Sequence, residues 1–320
     1  MFGYVNKRLQ QATLKAGTTL GGVSVVLGGH HAQLPPVKDL PLYDRSSKLD
    51  EYQSLGASAY SRFKTVVILR RQERQKSTDE KSLRFITMLD HFENGSPSIE
   101  DWRFVKRLSE ENLSRLQSDS DTWTLASRII AKDAENASAL GKYSKDNAMP
   151  VARMRAVCSG KGAERVSSSD AGNLDLDLCV CKGARVMVTS NLWLPAGLVN
   201  GAVGHVYDII YGKGQGPPSL ADAVLVQFSD TQYYGPSALP TAAGVVSFAP
   251  LRRDYLRNTG RRLKGSGGVK KWENIPCTRT QYPLTLAFTL TIHKSQGLSL
   301  KGVIVNLGPS EFASGLTYTR

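Results

Sequence analysis

Two short segments, far apart in the chain, hold the residues whose types and spacing could do chemistry. The first is Gly29-His30-His31-Ala32-Gln33-Leu34-Pro35-Pro36-Val37. It sets an amide, Gln33, on a stretch that two prolines stiffen. A side-chain amide there can hold a phosphate oxygen or a water. The second is Thr291-Ile292-His293-Lys294-Ser295-Gln296-Gly297-Leu298. It gathers hydroxyl, imidazole and amide donors around the fixed charge of Lys294, and Gly297 lets backbone approach a ligand. That combination suits an anion. Arg74-Gln75 closes a basic stretch after the apolar run 65–69. Taken one at a time, the first segment also reads as a surface turn, the second as a basic helix cap and the third as a solvated charge run.

A further basic stretch carries Arg252, Arg253, Arg257, Arg261, Arg262, Lys264, Lys270 and Lys271, with Asp254 opposing and Tyr255 and Trp272 interleaved. Lysine and arginine neutralise phosphates, and aromatic rings stack on bases. The alternative is a flexible solvated loop, since 265–268 is loop-like. The whole chain has 41 Lys+Arg against 28 Asp+Glu, a net charge of +13, and its natural partner is a polyanion. No metal centre is expected. His30 and His31 are adjacent and point different ways, while Cys179 and Cys181 share a strand face without two further ligands nearby. Four scattered cysteines are too few for a disulfide framework and point to a reducing compartment. No apolar run approaches a membrane span, and the first residues hold no apolar signal core.

These residues need a scaffold. The β-branched runs 23–28 and 65–69 read as buried parallel strands, each leading into one of the polar segments. Residues 6–14 read as the tail of an amphipathic helix and 81–116 as helices. Further strands are expected at 184–189, 284–292 and 303–307. Between 199 and 283 short β-like runs alternate with Gly and Pro clusters, the texture of a small antiparallel barrel. The pattern is α/β with a β insertion, and α/β proteins place ligands at the carboxyl ends of parallel strands.

Together the two segments resemble signature motifs of the petite-integration-frequency type of eukaryotic ATP-dependent DNA helicase, a RecD-like branch of helicase superfamily 1. The resemblance continues in order through Pro150-Val151-Ala152-Arg153, through Gly183-Ala184-Arg185-Val186-Met187-Val188-Thr189-Ser190-Asn191-Leu192-Trp193, through Gly197-Leu198-Val199-Asn200-Gly201-Ala202-Val203-Gly204, and to Gly315-Leu316-Thr317-Tyr318. It implies the C-terminal two-thirds of such an enzyme. Residues 1–60 would end a first RecA-like domain, 61–197 and 284–320 would form the second, and 198–283 would be the inserted barrel with its basic loop. By the resemblance, Gln33, Arg74 and Lys294 are catalytic. Gln33, Arg74, Gln296 and Gly297 would bind the nucleotide, with Arg74 acting in the manner of an arginine finger. Thr291, His293 and Ser295 would face DNA, joined by Arg252, Arg253 and Arg257 of the basic stretch. The implied cofactors are ATP and Mg2+. The implied activity is 5′-to-3′ translocation on single-stranded or forked DNA with duplex unwinding, by a monomer, in repair, recombination or telomere maintenance, in the nucleus or the mitochondrion.

The chain departs from the pattern in two ways. His30 stands where the family has Asp, so an imidazole replaces a carboxylate near the Mg-nucleotide. No G-x-x-x-x-G-K-[ST] is present: Gly141-Lys142, Gly160-Lys161 and Gly212-Lys213 are not followed by Ser or Thr. The resemblance puts that loop and the Mg-binding acid before Met1, and a γ-phosphate arginine beyond Arg320. The chain alone is therefore expected not to hydrolyse ATP. A non-catalytic remnant that binds single-stranded nucleic acid is the alternative.

Overall fold

The computed structural model describes residues 1–30, 33, 34, 36, 39–44, 49–69, 79–118, 122–264, 270–296, 298, 300 and 302–306. The chain divides into two compact units, Met1–Arg115 and Leu116–Gly308.

The first unit is helical. α1 (Phe2–Ala12) packs on α2 (Glu51–Tyr60) so closely that a Cβ on Gly3 would lie 1.9 Å from the Tyr52 carbonyl oxygen. Asp50 starts α2 with a reciprocal cap. Its carboxylate accepts from the Gln53 backbone N–H at 2.7 Å, and the Gln53 side chain accepts from the Asp50 N–H at 3.0 Å. α3 (Glu80–Glu93) and α4 (Ile99–Ser118) are held by buried Asp101. Its carboxylate accepts from the Ser98 backbone N–H at 2.8 Å and lies 2.7 Å from Arg84 and 2.8 Å from His91, both on α3.

The two apolar runs expected to be strands in this unit are not strands. Residues 23–28 and 65–69 pair with nothing among the described residues, and Val26 and Leu69 are 96% and 91% exposed. A parallel strand is stable only where neighbours take its N–H and C=O groups. Among the described residues Met1–Arg115 contains no strand to do so.

The second unit is built of sheets. β1 (Trp123–Ala126) lies between two parallel neighbours, β12 (Thr289–Thr291) and β13 (Val303–Asn306), and α5 (Ile129–Asp146) follows β1. In register, Ala126 is level with both Thr291 and Asn306, so the three carboxyl ends line one edge. The remaining strands are β2 (Ala152–Arg155), β3 (Val157–Ser159), β4 (Asp177–Val180), β5 (Arg185–Val188), β6 (Val203–Ile210), β7 (Ala223–Gln227), β8 (Val245–Phe248), β9 (Leu251–Lys264), β10 (Lys270–Gln281) and β11 (Leu284–Leu286). They form an antiparallel sheet in the order β11-β5-β6-β7-β8, a second in the order β3-β10-β9, and the pair β2-β4. The largest core lies on the five-stranded sheet, around Val186, Val188, Val206, Val224, Val226, Phe248 and Tyr282. The mixed α/β character with a parallel sheet is as expected. Among the described residues these strands form open sheets, and no pairing closes a ring.

Two expectations in this unit need correction. The single strand expected over 284–292 is two. β11 pairs antiparallel with β5, and the chain then crosses at Ala287 and Phe288 so that β12 pairs parallel with β1. The basic stretch expected as a loop is mostly a hairpin, β9 running into β10 from Leu251↔Gln281 to Lys270↔Lys264. Neither arm shows the alternation of polar and apolar residues that marks a half-buried strand, and the density of charge conceals the ribbon.

Candidate functional site

The polar turn follows β12 directly. Ile292–Ser295 forms one helical turn, α6, at the carboxyl edge of the parallel sheet. Burial fixes it: Thr289, Leu290 and Ile292 are almost fully enclosed. So does Asn136 of α5, whose buried amide completes the strand where it has lost its neighbour. Its Nδ2 donates to the Thr289 carbonyl at 3.0 Å, and its Oδ1 accepts from the N–H groups of Phe288 at 3.0 Å and Thr289 at 2.9 Å. Reading the sequence missed Asn136. The available signal was a lone amide at i−4 from buried Leu140, on the inward face of α5.

Of the residues expected here, Thr291, His293 and Gln296 are half-buried and Lys294 is exposed. Ser295 is buried, and its hydroxyl donates to the Ile292 carbonyl at 2.8 Å, engaged within the turn. The Lys294 ammonium sits below its ordinary pKa. The protein around it takes away part of the solvation of this charge, nearby Lys132 repels it, and Asp175 partly offsets both. Lys132 belongs to the first turns of α5 and is paired with Asp133 at 2.7 Å. Lys294, with the paired Lys132 near enough to act on it, brings positive charge to the carboxyl end of a parallel sheet, where α/β proteins place ligands. Among the described residues no three His, Cys, Asp or Glu side chains gather as a metal cluster.

Gln33 is exposed in the first unit, in a turn closed by its own N–H donating to the His30 carbonyl at 3.2 Å. In the same unit His30 Nε2 is 3.4 Å from the Glu93 carboxylate. Arg74 and Gly297 fall outside the described residues.

The hairpin arginines separate by strand alternation. Arg253, Tyr255 and Arg257 face the segment 160–174, which lies across the ribbon. The Arg253 side chain packs over Gly172, Tyr255 donates its hydroxyl to the Ala163 carbonyl at 3.0 Å, and Arg257 donates to the Lys161 carbonyl at 3.1 Å. Gly162, at φ +72°, leaves space that a Cβ would take from the Arg257 guanidinium. Arg252 points the other way and pairs with Asp254 at 3.3 Å. Opposite Arg253 on β10 is Arg279, with no exposed surface. Its guanidinium donates to the carbonyls of Leu174 at 2.9 Å, Ala163 at 3.0 Å and Val166 at 2.9 Å. The sequence offered no signal for this anchor, because one more arginine in a basic stretch looks like the rest.

No family model matches the chain. Among curated proteins it is 27% identical over 341 residues to ATP-dependent DNA helicase PIF7 of Trypanosoma brucei brucei (strain 927/4 GUTat10.1), covering 93% of this chain and 31% of that protein. It is 27% identical to ATP-dependent DNA helicase PIF1 of Homo sapiens, covering 96% of this chain and 40% of that protein. Of solved structures, Pif1 helicase from Bacteroides in complex with ADP-AlF3 and ssDNA aligns with a TM-score of 0.63 at 21% identity, over 99% of this chain and 63% of that one. Pif1 helicase from Candida albicans aligns equally well, with a TM-score of 0.63 at 21% identity, over 99% of this chain and 66% of that one. The fold is therefore the RecA-like α/β arrangement that these structures share. In sequence, the similarity to proteins named as ATP-dependent DNA helicases PIF7 and PIF1 extends along nearly the whole of this chain. The chain spans well under half the length of these curated relatives.

Proposed function

We propose that this chain is the translocating part of an ATP-dependent DNA helicase, coupling ATP hydrolysis to 5′-to-3′ movement along single-stranded DNA and to unwinding at a fork. The observation that carries the reading is the turn Thr291 to Gln296 at the aligned carboxyl ends of three parallel strands, with Lys294 and Lys132 beside it. Their charges fit a phosphate. ATP, when bound with Mg2+, would supply the free energy for stepping. In this reading Lys294 and Gln296, with Gly297, Gln33 and Arg74, serve the nucleotide side. Thr291, His293 and Ser295 serve the strand, as do Arg253 and Arg257 of the hairpin; Arg252, on its other face and paired with Asp254, is left out of this reading. Residues 1–60 end a first motor domain, 61–197 and 284–320 make the second, and 198–283 is its β insertion. A monomer acting in the nucleus or mitochondrion, in repair, recombination or telomere maintenance, is the setting we infer.

The test is ATP turnover by the protein that carries this chain, measured with and without single-stranded DNA. DNA-stimulated turnover that falls at least tenfold in Lys294→Ala, with unwinding only of forks bearing a 5′ tail, is the expected result. Turnover indifferent to Lys294 would sink the assignment. A second reading, a non-catalytic binder of single-stranded nucleic acid, is favoured by His30, whose imidazole faces Glu93 where the family has an aspartate. Binding with a steep salt dependence and no response to ATP would favour it.

A further inference from the structure

The segment 160–174 has no part in the motifs read from the sequence, yet the hairpin devotes three side chains of one face, and buried Arg279, to holding it. A buried cation held by backbone carbonyls is an expensive anchor. What it fixes is a backbone bearing two exposed cations, Lys161 and Arg165. Glu164, between them, is drawn off by Arg155 at 3.1 Å. Asp170, at the far side of the segment, accepts from Ser167 at 2.8 Å. The Lys161 carbonyl accepts from the Arg257 head group, and Gly172 lies over the Arg253 stem.

We infer that Lys161 and Arg165 form, with Arg253 and Arg257, a single phosphate-contacting track on one face of the hairpin, and that the partner on this track is the backbone of a nucleic-acid strand. Arg252, on the opposite face and neutralised by Asp254, stands outside it. The inference deepens the nucleic-acid reading above and rests on it. Its content is a sidedness that the charge of the hairpin alone does not contain. Contacts on this track are to phosphates and carry no base preference.

The experiment measures binding of the 320-residue chain to a fluorescent single-stranded oligonucleotide of mixed sequence across a salt series. Each phosphate contact to a single strand contributes about −0.7 to the slope of log K against log salt. Lys161→Ala/Arg165→Ala should weaken binding and make the slope shallower by about 1.4. Arg252→Ala should leave the slope unchanged. Both variants alter exposed side chains, and a cooperative melt matching the unaltered chain checks that each is folded. An unchanged slope in the double variant, with the parent chain binding normally, overturns the track and leaves the helicase reading intact. An equal effect from Arg252→Ala overturns the sidedness. If the parent chain shows no salt-dependent binding, the track and the nucleic-acid reading fall together.

Discussion

Val188 and Val67 sit in runs of the same composition, β-branched and apolar, and meet opposite fates. Val188 has no exposed surface: its strand, β5, lies between β11 and β6, and its side chain enters the core shared with Val206 and Val226. Val67 is 81% exposed, in a segment with no strand beside it among the described residues. The difference teaches that an apolar run specifies a strand only conditionally. β-propensity expresses fit to a pleated, half-buried surface, and that surface must be supplied by other parts of the chain. The second unit supplies it. The described part of the first is held by helix contacts and by polar clasps such as the one around Asp101.

Four measurements break or sharpen this contrast. The largest effect is expected from Asn136→Ala, which strips the Phe288–Thr289 crossing of three hydrogen bonds in a buried place. It should destabilise the second unit by about 3 kcal/mol in chemical denaturation, and a change below about 1 kcal/mol would mean that the crossing holds without its amide. Val188→Thr comes next, at about 2 kcal/mol, because the new hydroxyl would be buried among aliphatic side chains.

The third concerns the clasp of the first unit. Hydrogen bonding from the Ser98 N–H, against the opposing effect of burial, holds the Asp101 carboxyl well below its ordinary 3.8, helped by the Ser98 hydroxyl, His91 and Arg84. The unfolded chain therefore takes up a proton at higher pH than the folded one. The stabilisation is complete above about 3.8 and is lost as pH falls through the lower folded-state value. The melting temperature of Asp101→Asn should lie below that of the parent chain at neutral pH, and the gap should close on acidification below pH 4. A gap that is constant with pH would show that the carboxylate charge plays no part. The smallest effect is expected from Val67→Thr, the same exchange as at Val188 but on an exposed run, which should change stability by less than about 0.5 kcal/mol. A loss comparable to that of Val188→Thr would show that the run 65–69 is buried in solution and would erase the contrast.

The site divides in the same way. The turn Thr291 to Gln296 was legible because its residue types are unusual together and an apolar run precedes them. Its neighbours Lys132 and Asn136 were not, since they lie more than 150 residues away and only the parallel pairing of β12 with β1 brings α5 beside the turn. The basic stretch announced charge without announcing form. Strand alternation then put Arg253 and Arg257 on one face and Arg252 on the other, a division that a loop would not impose.

By itself, the sequence determined the α/β class, the resemblance to a helicase family, the positions of some strands in the second unit and the polar turn at residues 291–296. Each of these is local, carried by side-chain periodicity or by neighbours along the chain. Only the tertiary structure decided which apolar runs became strands, which amide closes the crossing at Phe288, and which arginine is buried as an anchor while others stay at the surface. These depend on partners distant in sequence, because hydrogen bonds and burial are satisfied in space and the order of residues along the chain does not fix which groups will meet.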